Sequence, residues 1–195
     1  MTEADWLTSE DPTAMLAWLG SAAPVRKLLL FGVASCYLSH QSPPVRIPIF
    51  DVVERYADGH ATTAEVREHW PRDREPECVS WPERAFRWVT TFARSSQAWG
   101  VESGDYPSAL LLPPLLRDIF GNPFRPAVFD SRWRTADTLG LARGIYAHRA
   151  FDRLPLLADA LMDAGCDDDQ IISHCRTGGP HVRGCWVVDL VLGKQ

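Results

Sequence analysis

Between Phe151 and Lys194, apolar residues recur at three- and four-residue spacing and are cut at short intervals by Gly and Pro. That combination leaves room only for short helices joined by tight turns. Leu154, Leu157, Ala158 and Leu161 fall on one face of a helix beginning near Asp152, with Pro155 in its first turn, where the missing N–H costs no intrahelical bond. Gly165 suits the left-handed conformation that closes a helix, and Asp167 with Gln170 three places on predicts a capping box opening a second one. Ile171, Ile172 and Cys175 supply its apolar face, and Thr177-Gly178-Gly179-Pro180 breaks it. A third helix is predicted from about His181 to Leu192, with Gly193 as its stop and Lys194 at its negative end. A buried strand through Trp186 to Leu192 competes with it, because a short apolar run fits either period.

Upstream the same grammar repeats. Asp11-Pro12 caps a short helix carrying Met15, Leu16, Trp18 and Leu19, and Pro24 opens another, with Val25, Leu28, Leu29, Phe31, Val33 and Cys36 leaving almost no polar face, so it is expected to be covered all round. Pro43-Pro44 is expected to end it. A third helix runs over Ile49 to Ala57 and closes at Asp58-Gly59, and Thr62-Thr63 caps a fourth through Trp70. Residues 71–82, with Pro71, Pro76 and Pro82 among charged side chains, read as a surface loop between two halves. A long helix follows through Ala85, Phe86, Val89, Phe92, Ala93 and Trp99, interrupted over Gly100 to Pro107. Leu110 to Phe120 contains Pro113-Pro114, so a helix either starts or kinks there; Gly121-Asn122-Pro123-Phe124-Arg125-Pro126 is a turn, and Asp130 or Ser131 caps the next helix, running past Trp133 to Tyr146. The expected fold is all-α: an irregular multi-helix bundle or short array of helix pairs with about nine to ten helices. It forms a single helical protein over 1–195 or two packed subdomains, 1–70 and 83–195, joined by the 71–82 loop.

A chain of 195 residues can bury a sizeable core, and 46% hydrophobic with 23% charged residues is ordinary globular usage. Net charge −5 opposes attraction to phosphate backbones and anionic lipid, which disfavours nucleic-acid and membrane partners. The five cysteines are an odd number without a small secreted pattern, the first five residues are acidic, and the longest apolar run, near Leu28 to Leu38, is too short to cross a bilayer. The expectation is a cytoplasmic protein with reduced thiols.

Four stretches carry a resemblance: Ala4-Asp5-Trp6-Leu7; Val53-Glu54-Arg55-Tyr56-Ala57-Asp58-Gly59; Leu115-Leu116-Arg117-Asp118-Ile119-Phe120-Gly121-Asn122-Pro123-Phe124-Arg125-Pro126; and Gly179-Pro180-His181-Val182-Arg183-Gly184-Cys185-Trp186. Together they resemble a large paralogous family of uncharacterised proteins from Planctomycetes bacteria. The resemblance spans most of the chain, the last two stretches being its most specific parts, and it implies a bacterial protein but carries over no activity, cofactor or catalytic residue. The chain departs from that family around Ala34-Ser35-Cys36-Tyr37, where paired cysteines followed by arginines are more usual, so Cys36 is not assigned to a shared thiol site.

His174, Cys175, His181 and Cys185 form the most suggestive chemical set. Thiolate and imidazole are preferred zinc ligands, and one helix end, a Gly-Gly-Pro turn and the next helix could bring four of them together. Against this, the spacing fits no standard finger, adjacent His174 and Cys175 face different sides of a helix, and Cys166 lies ~12 Å from His174 by helix rise. The expectation is therefore packing, with Cys175 and Cys185 as small core residues, His181 as a cap or loop partner and no metal bound, and zinc is the alternative. Glu65-x-x-Glu68-His69 lacks the first histidine of an inverted metalloprotease motif and reads as a solvated helix face. Asp167-Asp168-Asp169 lacks the ligand alternation of a calcium loop and reads as capping, and Gly178-Gly179 with Gly184 makes no phosphate-loop fingerprint. Arg125 and Arg183 are expected to pair with the acidic run at 167–169, holding turn against turn; with Trp186 they are also a candidate recognition patch, since arginine and tryptophan are enriched at binding hot spots. The reading favoured is a non-catalytic protein-interaction or scaffold module with an unidentified protein partner. The alternative is a zinc-stabilised or thiol-based enzyme built on the His174/Cys175/His181/Cys185 set.

Overall fold

The structure, a computed structural model, describes residues 1–39, 48–69 and 107–194. Among the described residues there are ten α-helices, a few short 3-10 turns and no strand. The helices are α1 (Glu3–Thr8), α2 (Pro12–Leu19), α3 (Val25–Ser39), α4 (Pro48–Ala57), α5 (Thr63–His69), α6 (Pro107–Phe120), α7 (Ala136–His148), α8 (Leu154–Asp163), α9 (Asp169–Arg176) and α10 (Trp186–Leu192). None of them is long and apolar enough to cross a membrane. The expected stop at Pro43-Pro44, Trp70, the 71–82 joint and the helix from Ala85 to Trp99 lie outside the described residues.

The chain divides into two compact units, Ser9–Pro113 and Met1–Thr8 with Pro114–Gln195. In the first, Asp11 caps α2 by accepting the N–H groups of Thr13 and Ala14 at 2.9 and 3.1 Å, with Pro12 in the first turn. Leu28 to Leu30, Phe31, Val33, Ala34 and Cys36 on α3 are all buried, as a helix without a polar face requires. α3 packs on α4, and α4 on α5, around Leu29, Val33, Phe50, Val53 and Val66. α4 stops at Gly59, φ +75, and α5 starts with a reciprocal capping box: Thr62 N–H donates to Glu65 at 2.7 Å and Glu65 N–H to the Thr62 hydroxyl at 3.2 Å. Glu65 also pairs with Arg55, and the His69 ring contacts the Glu65 carbonyl at 2.9 Å, so this stretch is a helix face and its cap.

The second unit has its core where α7, α8, α9 and α10 meet, with Ile145, Leu154, Leu157, Leu161, Ile171, Val187 and Val191 buried. Several boundaries differ from expectation. α9 is capped by Asp168, not Asp167: its carboxylate accepts from Gln170 and Ile171 N–H at 2.8 and 3.2 Å, which puts Gln170 one position short of a capping box. The last helix begins at Trp186 rather than His181, because Gly184 at φ +95 is outside helical space and residues 181–185 form a turn closed by Cys185 N–H on the Val182 carbonyl. It is a helix, not the competing strand. Asp130 caps only the 3-10 turn Ser131–Trp133, and Thr135 caps α7. α6 starts at Pro107 and continues unbroken through Pro113-Pro114.

Candidate metal centre

Three elements of the second unit deliver polar side chains to one point: the end of α6, the end of α9, and the turn leading into α10. On α6, Leu112, Leu115, Leu116 and Ile119 make the buried stripe, and Asp118 sits at its flank, 3% exposed. On α9, neighbouring residues are turned about 100° apart, so Cys175 points into the apolar core while His174 points to Asp118. Pro180 and Gly184 shape the turn that brings in His181, and Cys185 is the residue just before α10.

The contacts are short and share atoms. His174 Nε2 lies 3.1 Å from Asp118 Oδ1 and 3.3 Å from Cys185 Sγ. His181 Nδ1 lies 2.7 Å from the same Oδ1. The other carboxylate oxygen accepts the Val182 N–H at 3.0 Å. His181 Nε2 faces the Thr177 carbonyl at 3.0 Å, and since a carbonyl only accepts, that nitrogen carries the proton. His181 Nδ1 therefore meets a carboxylate oxygen with its lone pair unless a cation, proton or metal, lies between them. One ligand atom from each of Asp118, His174, His181 and Cys185 falls within 4.8 Å of all the others. Tetrahedral zinc, with bonds of about 2.0–2.3 Å, sets its ligand atoms about 3.3–3.7 Å apart, so a metal here would draw together a pair standing as much as 4.8 Å apart, by about 1 Å, and spread the 2.7 Å pair of His181 Nδ1 and Asp118 Oδ1 by about 0.6 Å.

The electrostatics are those of a buried, mutually dependent set. Burial by itself raises the Asp118 carboxyl, but the hydrogen bonds and charges of His174 and His181 bring it below its ordinary value. Burial pulls His181 down while its bonds to Asp118 and Thr177 push it up, with the upward effect larger. Burial and the Asp118 charge push the Cys185 thiol well up, against the N–H groups of Val188 and Val187 that favour the thiolate. A divalent cation would reverse that balance, because a coordinating thiol is deprotonated outright.

A thiol nucleophile does not fit this geometry. A relay needs base and orienting carboxylate on opposite nitrogens of one imidazole, whereas Cys185 and Asp118 approach the same nitrogen of His174, and Cys185 is fully buried.

Of the four residues singled out by type, His174, His181 and Cys185 come together and Cys175 does not. Its side chain is core, 1% exposed, its thiol pushed up to about 12 by burial. The fourth member is Asp118, which the sequence reading missed; an acid flanking an otherwise apolar helical stripe was the available signal. Arg125 pairs with Glu3 at 2.9 Å instead of the acidic run. Arg183 bonds the Tyr146 and Ala147 carbonyls at 3.2 and 3.3 Å, at the end of α7, and stacks over the Tyr146 ring. Trp186 packs its ring between His174, at 5.0 Å, and Gly121. On the His174 side a cleft of about 360 Å³ opens, lined among others by Trp6, Arg117, Asn122, Arg125 and Gln170.

Compared with family models, curated proteins and solved structures, the chain matches none.

Proposed function

We propose that the second unit is a zinc-stabilised, non-catalytic module, with Asp118 Oδ1, His174 Nε2, His181 Nδ1 and Cys185 Sγ as ligands. The carrying observation is the convergence of these four atoms within 4.8 Å, two of them sharing Oδ1 at 2.7 and 3.1 Å. Two imidazoles, one thiolate and one carboxylate make a borderline donor set that suits zinc better than calcium or magnesium. Four protein atoms around a metal would complete a tetrahedron and leave no open position, which is the arrangement of structural zinc. The outer partners also fit: Thr177 C=O orients His181 and Val182 N–H orients Asp118.

Such a metal would tie α6 to α9 and to the turn before α10, segments 56 and 63 residues apart in sequence for its two imidazoles. Binding free energy of this kind is folding free energy. Three of the four stretches that resemble the Planctomycetes family meet around this point, through Trp6, Asp118 to Asn122 and His181 to Trp186. The role we infer for the resulting platform is protein interaction or scaffolding in the cytoplasm, a reducing setting that accords with the four free thiols of the described residues.

Cobalt substitution tests the ligand set. With Co(II) in the site, the wild-type chain is expected to show a thiolate-to-cobalt charge-transfer band that Cys185→Ser abolishes and Cys175→Ser leaves intact. A band that survives Cys185→Ser, or never forms, contradicts the assignment.

A further inference from the structure

The cleft on the His174 side has a chemistry separate from the metal cluster behind it. Its lining holds the guanidiniums of Arg117 and Arg125 and one carboxylate, Glu3, which pairs with Arg125. We propose that it binds a small carboxylate joined to an apolar body, either a free acid or the C-terminus of a peptide.

Arg125 carries the recognition. Its Nε pairs with Glu3 at 2.9 Å, and its two Nη groups have no partner among the described residues. Those two groups present the parallel donors that a carboxylate accepts as a fork. The Gln170 carboxamide, on the same cleft, also has no side-chain partner among the described residues and offers a further donor. Apolar surface lies beside them, in Leu7, 51% exposed, and the uncovered part of the Trp186 ring.

The walls are braced before any ligand arrives. Trp6 donates its indole N–H to the Gly121 carbonyl at 2.9 Å, Arg117 Nε donates to the Trp6 carbonyl at 2.9 Å, and Asn122 donates to Glu3 at 2.8 Å. Gly121 holds φ +66, and a Cβ there would sit 3.2 Å from the Trp186 ring, so that ring lies directly on the backbone. These walls lose little freedom on binding, while Arg125, whose side chain is 71% exposed and held by its Glu3 pair, orders its Nη groups around the carboxylate as the ligand arrives. The volume of about 360 Å³ falls in the range of about 300–1,000 Å³ typical of small-ligand sites.

The inference shares only His174 with the zinc reading, and calorimetry on the full chain, with zinc content measured on the same sample, keeps the two apart. The probes are phenylacetate for a free acid and N-acetyl-glycyl-phenylalanine for a peptide end, each against its neutral amide. At least one acid is expected to bind saturably, with its amide at least tenfold weaker. Arg125→Gln is expected to weaken the acid at least tenfold with zinc per chain unchanged. Binding of phenylacetate alone assigns a free acid, and equal or tighter binding of the peptide assigns a C-terminus. Absence of saturable binding by both acids, amides binding as well as acids, or an unaffected Arg125→Gln variant overturns the proposal. Acid binding without zinc would sink the metal reading and leave the cleft standing, and zinc without acid binding would do the reverse.

Discussion

A carboxylate that is 3% exposed needs donors or cations around it, and Asp118 finds two imidazoles and a backbone N–H. Three residues on, Gly121 is fixed for a different reason. Its backbone is left-handed and its missing Cβ leaves the Trp186 ring in contact with the chain. Gly121→Ala should therefore cost about 2 kcal/mol in a denaturant melt, from conformation and crowding together. A loss below about 0.5 kcal/mol would show that the turn and the ring give way freely. At this scale the sequence was legible where residue type speaks by itself. His174, His181 and Cys185 were visible because few side chains bind zinc through nitrogen or sulfur. Asp118 was not, since it is one of 25 acidic residues and lies 56 positions from His174. Cys175 fits the ligand types as well as His174 does, and the helix rotation between neighbours, already legible in the sequence, sends it into the core as the packing reading expects.

The helices themselves were the most readable level, because each is announced by a short-range rule. Asp11-Pro12, the Thr62-Thr63 cap and Asp58-Gly59 act locally, within one turn of the residues they cap, and the structure keeps all three, with Thr62 as the capping residue. Errors arose where two local rules were available at once. Asp167, Asp168 and Asp169 are equivalent in composition, and the choice of Asp168 depends on where the chain leaves Cys166 and turns into α9. Asp168→Ala should cost about 1 kcal/mol and Asp167→Ala under about 0.5 kcal/mol by thermal or denaturant melting. Equal losses would contradict the cap assignment. The start of α10 was misread for a longer-range reason. Periodicity from His181 onward is compatible with helix, but Val182 N–H is drawn to Asp118 and Gly184 takes φ +95, both outside what local spacing reports.

At the scale of the molecule, the all-α class followed from the periodicity, while the grouping of Met1–Thr8 with the C-terminal part did not. α1 joins that unit through Trp6, whose indole N–H reaches Gly121 across 115 residues, and no spacing rule reaches so far. The cluster of Asp118, His174, His181 and Cys185 belongs to the same class of long-range fact, in which segments remote in sequence meet because their polar groups satisfy one another inside an apolar core. If zinc completes that cluster, the second unit is folded partly by its metal. Elemental analysis of the full chain purified with zinc present and then dialysed free of loose metal tests this most directly. The account predicts close to one zinc per chain, falling to a small fraction in His181→Ala and in Asp118→Asn and staying near one in Cys175→Ser. Well under one zinc in the wild-type chain, or a ratio near one that His181→Ala leaves unchanged, would contradict it.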